Sequence, residues 1–264
     1  MAIFILFIFG LILGSFVNAL VWRTYVGKNV ARGRSQCPTC GHQLAAKDLI
    51  PLLSWLMLRG RCRYCQAKIS LQYPLVELVA AIIFTLSYVF WPGGVSGNGW
   101  LLFITWLLSA TGLLALAVSD IRWMLLPNKI LYPTFLIAAA GRLAYIIGFE
   151  AGKPHALKQW LLAVIVSSGF FWLLFMVSSG RWIGYGDVRL GLITGTLLAD
   201  PQKSALMIVL SSFVGTVFVV PLLALKHKSW GSKIPYGPFL MLAAAITLLF
   251  GTNIINWYKN LTLH

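Results

Sequence analysis

Two of the six acidic residues in this 264-residue chain, Asp120 and Asp187, stand where an apolar stretch meets a polar turn. Asp120 lies in Ser119-Asp-Ile-Arg-Trp-Met-Leu-Leu-Pro-Asn128, and Asp187 in Gly184-Tyr-Gly-Asp187-Val-Arg189. A pair of carboxylates sharing one proton can hydrolyse a peptide bond. The ionised member takes a proton from water while the neutral member protonates the substrate carbonyl. Gly184 and Gly186 leave the backbone beside the acid unobstructed, so an extended peptide could lie against it, and both are candidate substrate-binding positions. Asp187 is expected at a helix N-terminus, which favours the ion, and Asp120 at a C-terminus, which disfavours it, so Asp187 reads as the base and Asp120 as the acid. Spacing alone leaves a plainer option open, in which the two acids cap helices or balance Arg122 and Arg189.

The four cysteines form a second pattern, Cys37-Pro-Thr-Cys40 and Cys62-Arg-Tyr-Cys65, with 21 residues between the pairs. Two Cys-x-x-Cys pairs at roughly this separation read as a zinc ribbon in which each pair supplies one knuckle. With four thiolates as ligands the metal is structural and has no open position for activating water. Two disulfides are the alternative, and they require an oxidising compartment.

Both patterns must be positioned by elements suited to lipid. The chain is 59% hydrophobic and 10% charged, against about 45–50% and roughly 25% in soluble domains. Stretches near the ~20 residues needed to cross a bilayer recur at 2–22, 74–91, 100–118, 130–148, 159–179, 205–225 and 236–256, with a shorter eighth at 188–199. The fold class is therefore an all-α integral membrane protein, a polytopic bundle of about eight transmembrane helices with a small cytoplasmic zinc-ribbon-like loop domain. Its parts are a first helix (1–22), the zinc-binding loop (23–73) and a transmembrane core (74–264). The first stretch has no Lys or Arg ahead of its apolar run and no small-x-small cleavage pattern, so it reads as a retained helix.

The net charge of +15 would suit nucleic acid only if it formed a soluble basic face. Here it falls between spans, and no nucleic-acid partner is expected. Placing the N-terminus outside puts 16 of the 21 Lys and Arg on the cytoplasmic side, including Lys226, Lys228 and Lys233, as the positive-inside rule requires. That partition needs 188–199 to cross. It places the cysteines and both aspartates in the reducing cytoplasm, which favours zinc over disulfides. Arg142, late in the fourth span, is expected to reach outward. Of the other acids, Asp48 reads as a turn or surface charge, and Glu150 and Asp200 as solvated loop charges. Glu77, one turn inside the second span, reads equally as an ion-pair partner of the loop or as a substrate or cofactor contact.

Taken together the sequence resembles the type IV prepilin leader peptidases, or prepilin peptidase/N-methyltransferases, which are membrane aspartic peptidases with Gly-x-Gly-Asp sites. The resemblance rests on Gly14-Ser-Phe-Val-Asn18, the cysteine loop with Ile50-Pro-Leu-Leu-Ser-Trp55 and Leu58-Arg-Gly-Arg-Cys62, Tyr73-Pro-Leu-Val-Glu77, the Asp120 segment, Gly184-Tyr-Gly-Asp187 and Ile234-Pro-Tyr-Gly-Pro-Phe239, in family order. It implies cleavage of the short basic leader of prepilins or secretion pseudopilins at the cytoplasmic face of a bacterial inner membrane. It also implies Asp120 and Asp187 as catalytic residues and methylation of the new N-terminus by S-adenosylmethionine. Arg189 stands where Lys is usual, Leu49 where Asn is common and Gln72 where Arg is frequent. These departures bear on substrate preference and methylation more than on cleavage. A peptidase without methyl transfer and a presenilin-like intramembrane protease are the alternatives within the enzyme class. An ion-binding transporter or a membrane scaffold is the alternative outside it. Gly10-x-x-x-Gly14 and Gly191-x-x-x-Gly195 read as helix-packing contacts, not cofactor loops.

Overall fold

Chains with this much apolar surface satisfy their backbone inside lipid by forming helices, and the computed structural model, which describes residues 1–30, 32–224 and 234–262, is built on that rule. Nine α-helices occur among the described residues, besides a 3-10 turn at Ala46–Asp48: α1 (Ala2–Tyr25), α2 (Leu53–Met57), α3 (Gln72–Val89), α4 (Gly99–Trp123), α5 (Asn128–Phe149), α6 (Lys153–Ser178), α7 (Tyr185–Leu198), α8 (Pro201–Ala224) and α9 (Gly237–Thr262). All but α2 and α7 are long and apolar enough to cross a membrane. No β-ladder occurs among the described residues, only two isolated bridges in the loop between α1 and α3. Lys226, Lys228 and Lys233, which complete the charge partition, lie outside the described residues.

Close approach of helices depends on small residues. A Cβ added at Gly10 would lie 2.5 Å from the Ala81 Cα, and one at Gly14 would lie 2.6 Å from the Glu77 Cα. Those glycines let α1 and α3 touch backbone to backbone. The same device joins α7 to α6, where a Cβ at Gly191 would meet the Ser168 Cα at 2.8 Å and one at Gly195 the Val164 Cα at 2.9 Å. Both Gly-x-x-x-Gly segments are thus packing contacts. Gly112 and Gly141 work as a pair in the same way, each leaving room for a threonine of the facing helix, Thr134 and Thr105 respectively.

The short α7 is expected over 188–199 and instead runs from Tyr185 to Leu198. At 14 residues it is about 21 Å long, less than the ~30 Å hydrocarbon thickness. It nevertheless joins the two ends of the bundle. Asp187 in its first turn has Asp120 of α4 as a charged neighbour, and Leu198 at its far end shares a small cavity with Trp91, Arg142 and Lys203. Packing on α5, α6 and α9 covers it, and Leu190, Ile193 and Thr194 are fully buried. Protein, not lipid, surrounds most of this element.

α4 also differs from expectation, continuing past residue 118 to Trp123 and ending in a left-handed Met124. Asp120 consequently lies within the last helical turn. At the opposite end Arg142 pairs with Glu150 at 3.9 Å, so Glu150 is not a free solvated charge. Asp200 caps α8 by accepting the amides of Gln202 and Lys203.

A side chain at Gly191 must push α7 away from α6. We expect Gly191→Leu to cost about 1–3 kcal/mol, read as earlier thermal unfolding in detergent by tryptophan fluorescence. Gly148→Ala, whose added Cβ meets nothing, should stay within about 0.5 kcal/mol of the parent.

Candidate active site and metal centre

The fold brings Asp120 and Asp187 to one end of the bundle. Asp120 lies three residues, about 4.5 Å, from the end of α4, and Asp187 lies two residues, about 3 Å, from the start of α7. Both are buried, 7% and 9% exposed, and they act on one another electrostatically.

Among the described residues no Lys or Arg forms an ion pair with either acid; the two ion pairs there are Arg63–Asp48 and Arg142–Glu150. Arg189 instead donates to the Asn128 Oδ1 at 2.6 Å and lies over the Tyr185 ring. Arg122 lies over Trp123. Neither Arg122 nor Arg189 therefore balances the two carboxylates.

Each acid is held by one backbone amide. The Gly184 N–H donates to the Asp187 Oδ2 at 3.2 Å while the Asp187 N–H donates back to the Gly184 carbonyl at 3.0 Å. This reciprocal pair starts α7 and fixes the carboxylate. The Gly237 N–H, at the first residue of α9, donates to the Asp120 Oδ2 at 3.1 Å. A Cβ on Gly237 would lie 2.7 Å from that oxygen, so only glycine permits the approach. Asp120 thus faces the N-terminus of α9 as well as sitting at the C-terminus of α4. The helix ends, read from sequence as separating base from acid, do not rank the two, since each carboxylate has a helix N-terminus and one amide beside it.

Gly184 and Gly186 flank this pair differently. Gly184 caps α7 in an extended conformation with few near neighbours, whereas Gly186 packs on Leu126, whose Cδ1 lies 2.7 Å from where a Cβ would be. Sequence reading passed over Gly237 as a site residue. The signal was present in the Tyr-Gly-Pro of Ile234–Phe239, but its partner lies 117 residues away in the chain.

The four cysteines converge as well. Their sulfur atoms all lie within 4.8 Å of one another, and the thiols are free. Two knuckles of the same design present them. In each, the first cysteine N–H donates to the carbonyl five residues on (Cys37 to His42, Cys62 to Ala67), and the residue after the second cysteine donates back (Gly41 to Cys37, Gln66 to Cys62). That return needs a positive φ, supplied by Gly41 at +71° and by Gln66 at +58°. Tetrahedral zinc with Zn–S near 2.3 Å sets its sulfurs about 3.8 Å apart, and the Cys37 and Cys65 sulfurs are 3.8 Å apart. The donor set and its spacing fit such an ion. Burial raises the Cys37 thiol, but the amides of Cys40 and Thr39 and the adjacent thiols outweigh it and hold the group down to about 6.

Asp48 ties the knuckles to the segment between them. It accepts from Arg63 Nε at 2.7 Å, the Tyr64 hydroxyl at 3.0 Å and the Ala45 amide at 3.1 Å, so it is more than a surface charge. Glu77 of α3 accepts the Leu52 amide at 2.8 Å and a bond from Ser15 of α1. It clamps the loop to the bundle through backbone, not through a basic residue. Asn18 completes the joint, donating to the Tyr73 carbonyl and accepting from Gln72.

Comparison with known proteins adds two family matches, the bacterial peptidase A24 N-terminal domain over residues 8–91 and the type IV leader peptidase family over residues 106–220. The chain is 32% identical to a prepilin leader peptidase/N-methyltransferase of Aeromonas salmonicida, covering 96% of this chain and 92% of that one. It is 33% identical to one of Pseudomonas aeruginosa, covering 94% and 90%. It is 30% identical to one of Bacillus subtilis, covering 98% of each. No solved structure matches.

The Arg63 hydrogen bond chiefly, with those of Tyr64 and the Ala45 amide, holds the Asp48 carboxyl below its ordinary 3.8. Its contribution to loop stability is therefore complete above pH 3.8 and lost as the pH falls through the lowered value. In hydrogen exchange we expect Asp48→Asn to speed the Ala45 amide by a constant factor from pH 7 to about 4. The difference from the parent should close below that.

Proposed function

This chain belongs to the type IV leader peptidase family, and from that membership we propose that it cleaves the leader of type IV prepilins or secretion pseudopilins. On this reading Asp120 and Asp187 are the catalytic acids. The observation that carries the assignment is the burial of both carboxylates at one end of the bundle, within electrostatic reach of each other and with no Lys or Arg of the described residues at ion-pair distance. Carboxylates so placed share a proton and titrate as a pair. One member deprotonates the attacking water, the other protonates the scissile carbonyl, and the roles reverse as the tetrahedral species collapses. Gly237 and Gly184 hold the two oxygens that accept their amides, leaving one oxygen of each acid for water and substrate. The exposed backbone at Gly184 suits an extended peptide, whereas Gly186 serves by letting Leu126 close against the turn.

The enzyme is a multi-pass membrane protein, and the acids' position within a turn of the helix ends favours cutting at the membrane rim, as opposed to the mid-bilayer cleavage of presenilin-like proteases. We place the N-terminus in the periplasm of the inner membrane and the acids and cysteines on the cytoplasmic side. The positive loop between α1 and α3 supports that orientation.

The same family relationship leads us to propose methylation of the new N-terminus by S-adenosylmethionine, since the relatives are named as prepilin leader peptidase/N-methyltransferases. Cys37, Cys40, Cys62 and Cys65 would hold zinc, which crosslinks the two knuckles of a loop too small to bury a core of its own. The division of the chain into a first helix (1–22), a zinc loop (23–73) and a peptidase core (74–264) follows from these roles.

Asp120→Asn and Asp187→Asn should each lower the cleavage rate of a detergent-solubilised prepilin by at least about 10²–10⁴-fold, with unchanged membrane insertion. Near-parental cleavage in both variants would rule out the pair. Independently, Cys62→Ser should take purified protein from one equivalent of zinc to none by mass spectrometry of the native protein.

A further inference from the structure

A cavity of about 550 Å³ lies between the cysteine loop and the ends of α1, α3 and α4, within the roughly 300–1,000 Å³ range of small-molecule sites. Its walls are strongly aromatic, with Trp22, Tyr25, Trp55 and Trp123 among them. Tyr25 and Trp123 stack at 4.0 Å between ring centroids, closing the α1–α4 side.

Two carboxylates line the space, and they differ. Asp48 is neutralised by Arg63. Glu77 is 7% exposed and lines the cavity while facing no Lys or Arg at ion-pair distance among the described residues. A buried acid without a cation, set among aromatic rings, suits a positively charged ligand. Arg34, Lys68 and Arg122 also line the cavity and suit a carboxylate on the same ligand. One wall is close to Asp120, because Arg122 and Trp123, which line the cavity, follow it in the last turn of α4.

We propose that this cavity binds the methyl donor, a sulfonium nucleoside carrying an amino acid, with Glu77 as the counter-charge to the sulfonium. The inference rests on the methyltransferase reading above and assigns its site. The free amine of the newly cut substrate attacks the methyl carbon, a nitrogen–carbon bond forms, and the sulfur–methyl bond breaks with its electron pair passing to sulfur. The positive charge moves from sulfur to nitrogen, and the methylated ammonium keeps its proton while the neutral thioether leaves. No metal or oxidant takes part. The aromatic walls hold the nucleoside base by stacking, and the loop above excludes water.

The test compares binding of S-adenosylmethionine with that of S-adenosylhomocysteine, which lacks the positive charge, by calorimetry on zinc-loaded full-length protein in detergent. Glu77→Gln keeps an oxygen to accept the Leu52 amide but removes the charge. It should weaken S-adenosylmethionine about tenfold or more and S-adenosylhomocysteine by less than about twofold. Ultraviolet crosslinking of labelled donor to the parent protein should mark peptides containing Trp22, Trp55 or Trp123. Equal loss of both ligands, no loss of either, or a crosslink confined to α5–α9 would overturn the cavity assignment. Parent protein that cleaves prepilin but neither binds nor consumes the donor would overturn the methyltransferase reading itself.

Discussion

Keeping two carboxylates out of water at one end of the bundle, with no Lys or Arg of the described residues paired to either, is the constraint on which this structure turns. Withdrawing a carboxylate from water costs on the order of several kcal/mol even after relaxation, and a second one nearby adds repulsion. The bundle meets that cost locally. Asp187 is bonded across the first turn of its own helix to the Gly184 amide, and Asp120 receives the amide that opens α9. A shared proton removes much of the rest. The helices that converge here, α4, α7 and α9, are those whose ends must be fixed most firmly, and each carries a glycine contact that a methyl group would break, at Gly112, Gly191 and Gly237.

α7 shows how the constraint shapes the fold. An acid in the first turn of a membrane helix cannot face lipid, so the helix that carries Asp187 is enclosed by α5, α6 and α9. Enclosure in turn permits its short length. A 14-residue helix would leave polar ends in hydrocarbon if lipid surrounded it, but inside protein its termini have partners, Asp120 at one end and the Trp91–Arg142 region at the other. Close packing needs a thin helix, which Gly191 and Gly195 supply. Shortness, burial and glycine content are thus consequences of one charged side chain.

The spans, the cysteine pairs and the two aspartates were legible in sequence because each is a matter of residue type at short range: apolar runs, Cys-x-x-Cys, and acids rare in so apolar a chain. What escaped was long-range. Gly237 closes on Asp120 across 117 residues, and no local rule links a glycine between Tyr and Pro to a distant carboxylate. Glu77 was read equally as an ion-pair partner of the loop or as a substrate or cofactor contact, and it accepts the amide of Leu52, a residue with φ of +60° that no propensity would place there. Glu150 was read as solvated because the predicted span ended at 148, two residues short of it. The helix actually runs to Phe149, and Arg142 reaches Glu150 just beyond its end.

The last turn of α4 joins the two halves of the proposed chemistry. Successive residues of a helix are about 100° apart, so positions 120 and 122 point to nearly opposite sides. Asp120 turns toward α7 and α9, while Arg122 and Trp123 line the cavity under the loop. One turn of helix therefore separates the two sites. The arrangement imposes an order, because the amine to be methylated does not exist until the peptide bond is cut. The end of α4 that carries Asp120 also gives Arg122 and Trp123 to the cavity lined by Glu77. The clamp between Glu77 and Leu52 then holds the roof of the second site to the same bundle that holds the floor of the first. The loop, tied together by four cysteines and Asp48, is joined to the membrane helices by the Leu52 amide on Glu77 and by Arg23 of α1 on the Val30 and Gly33 carbonyls.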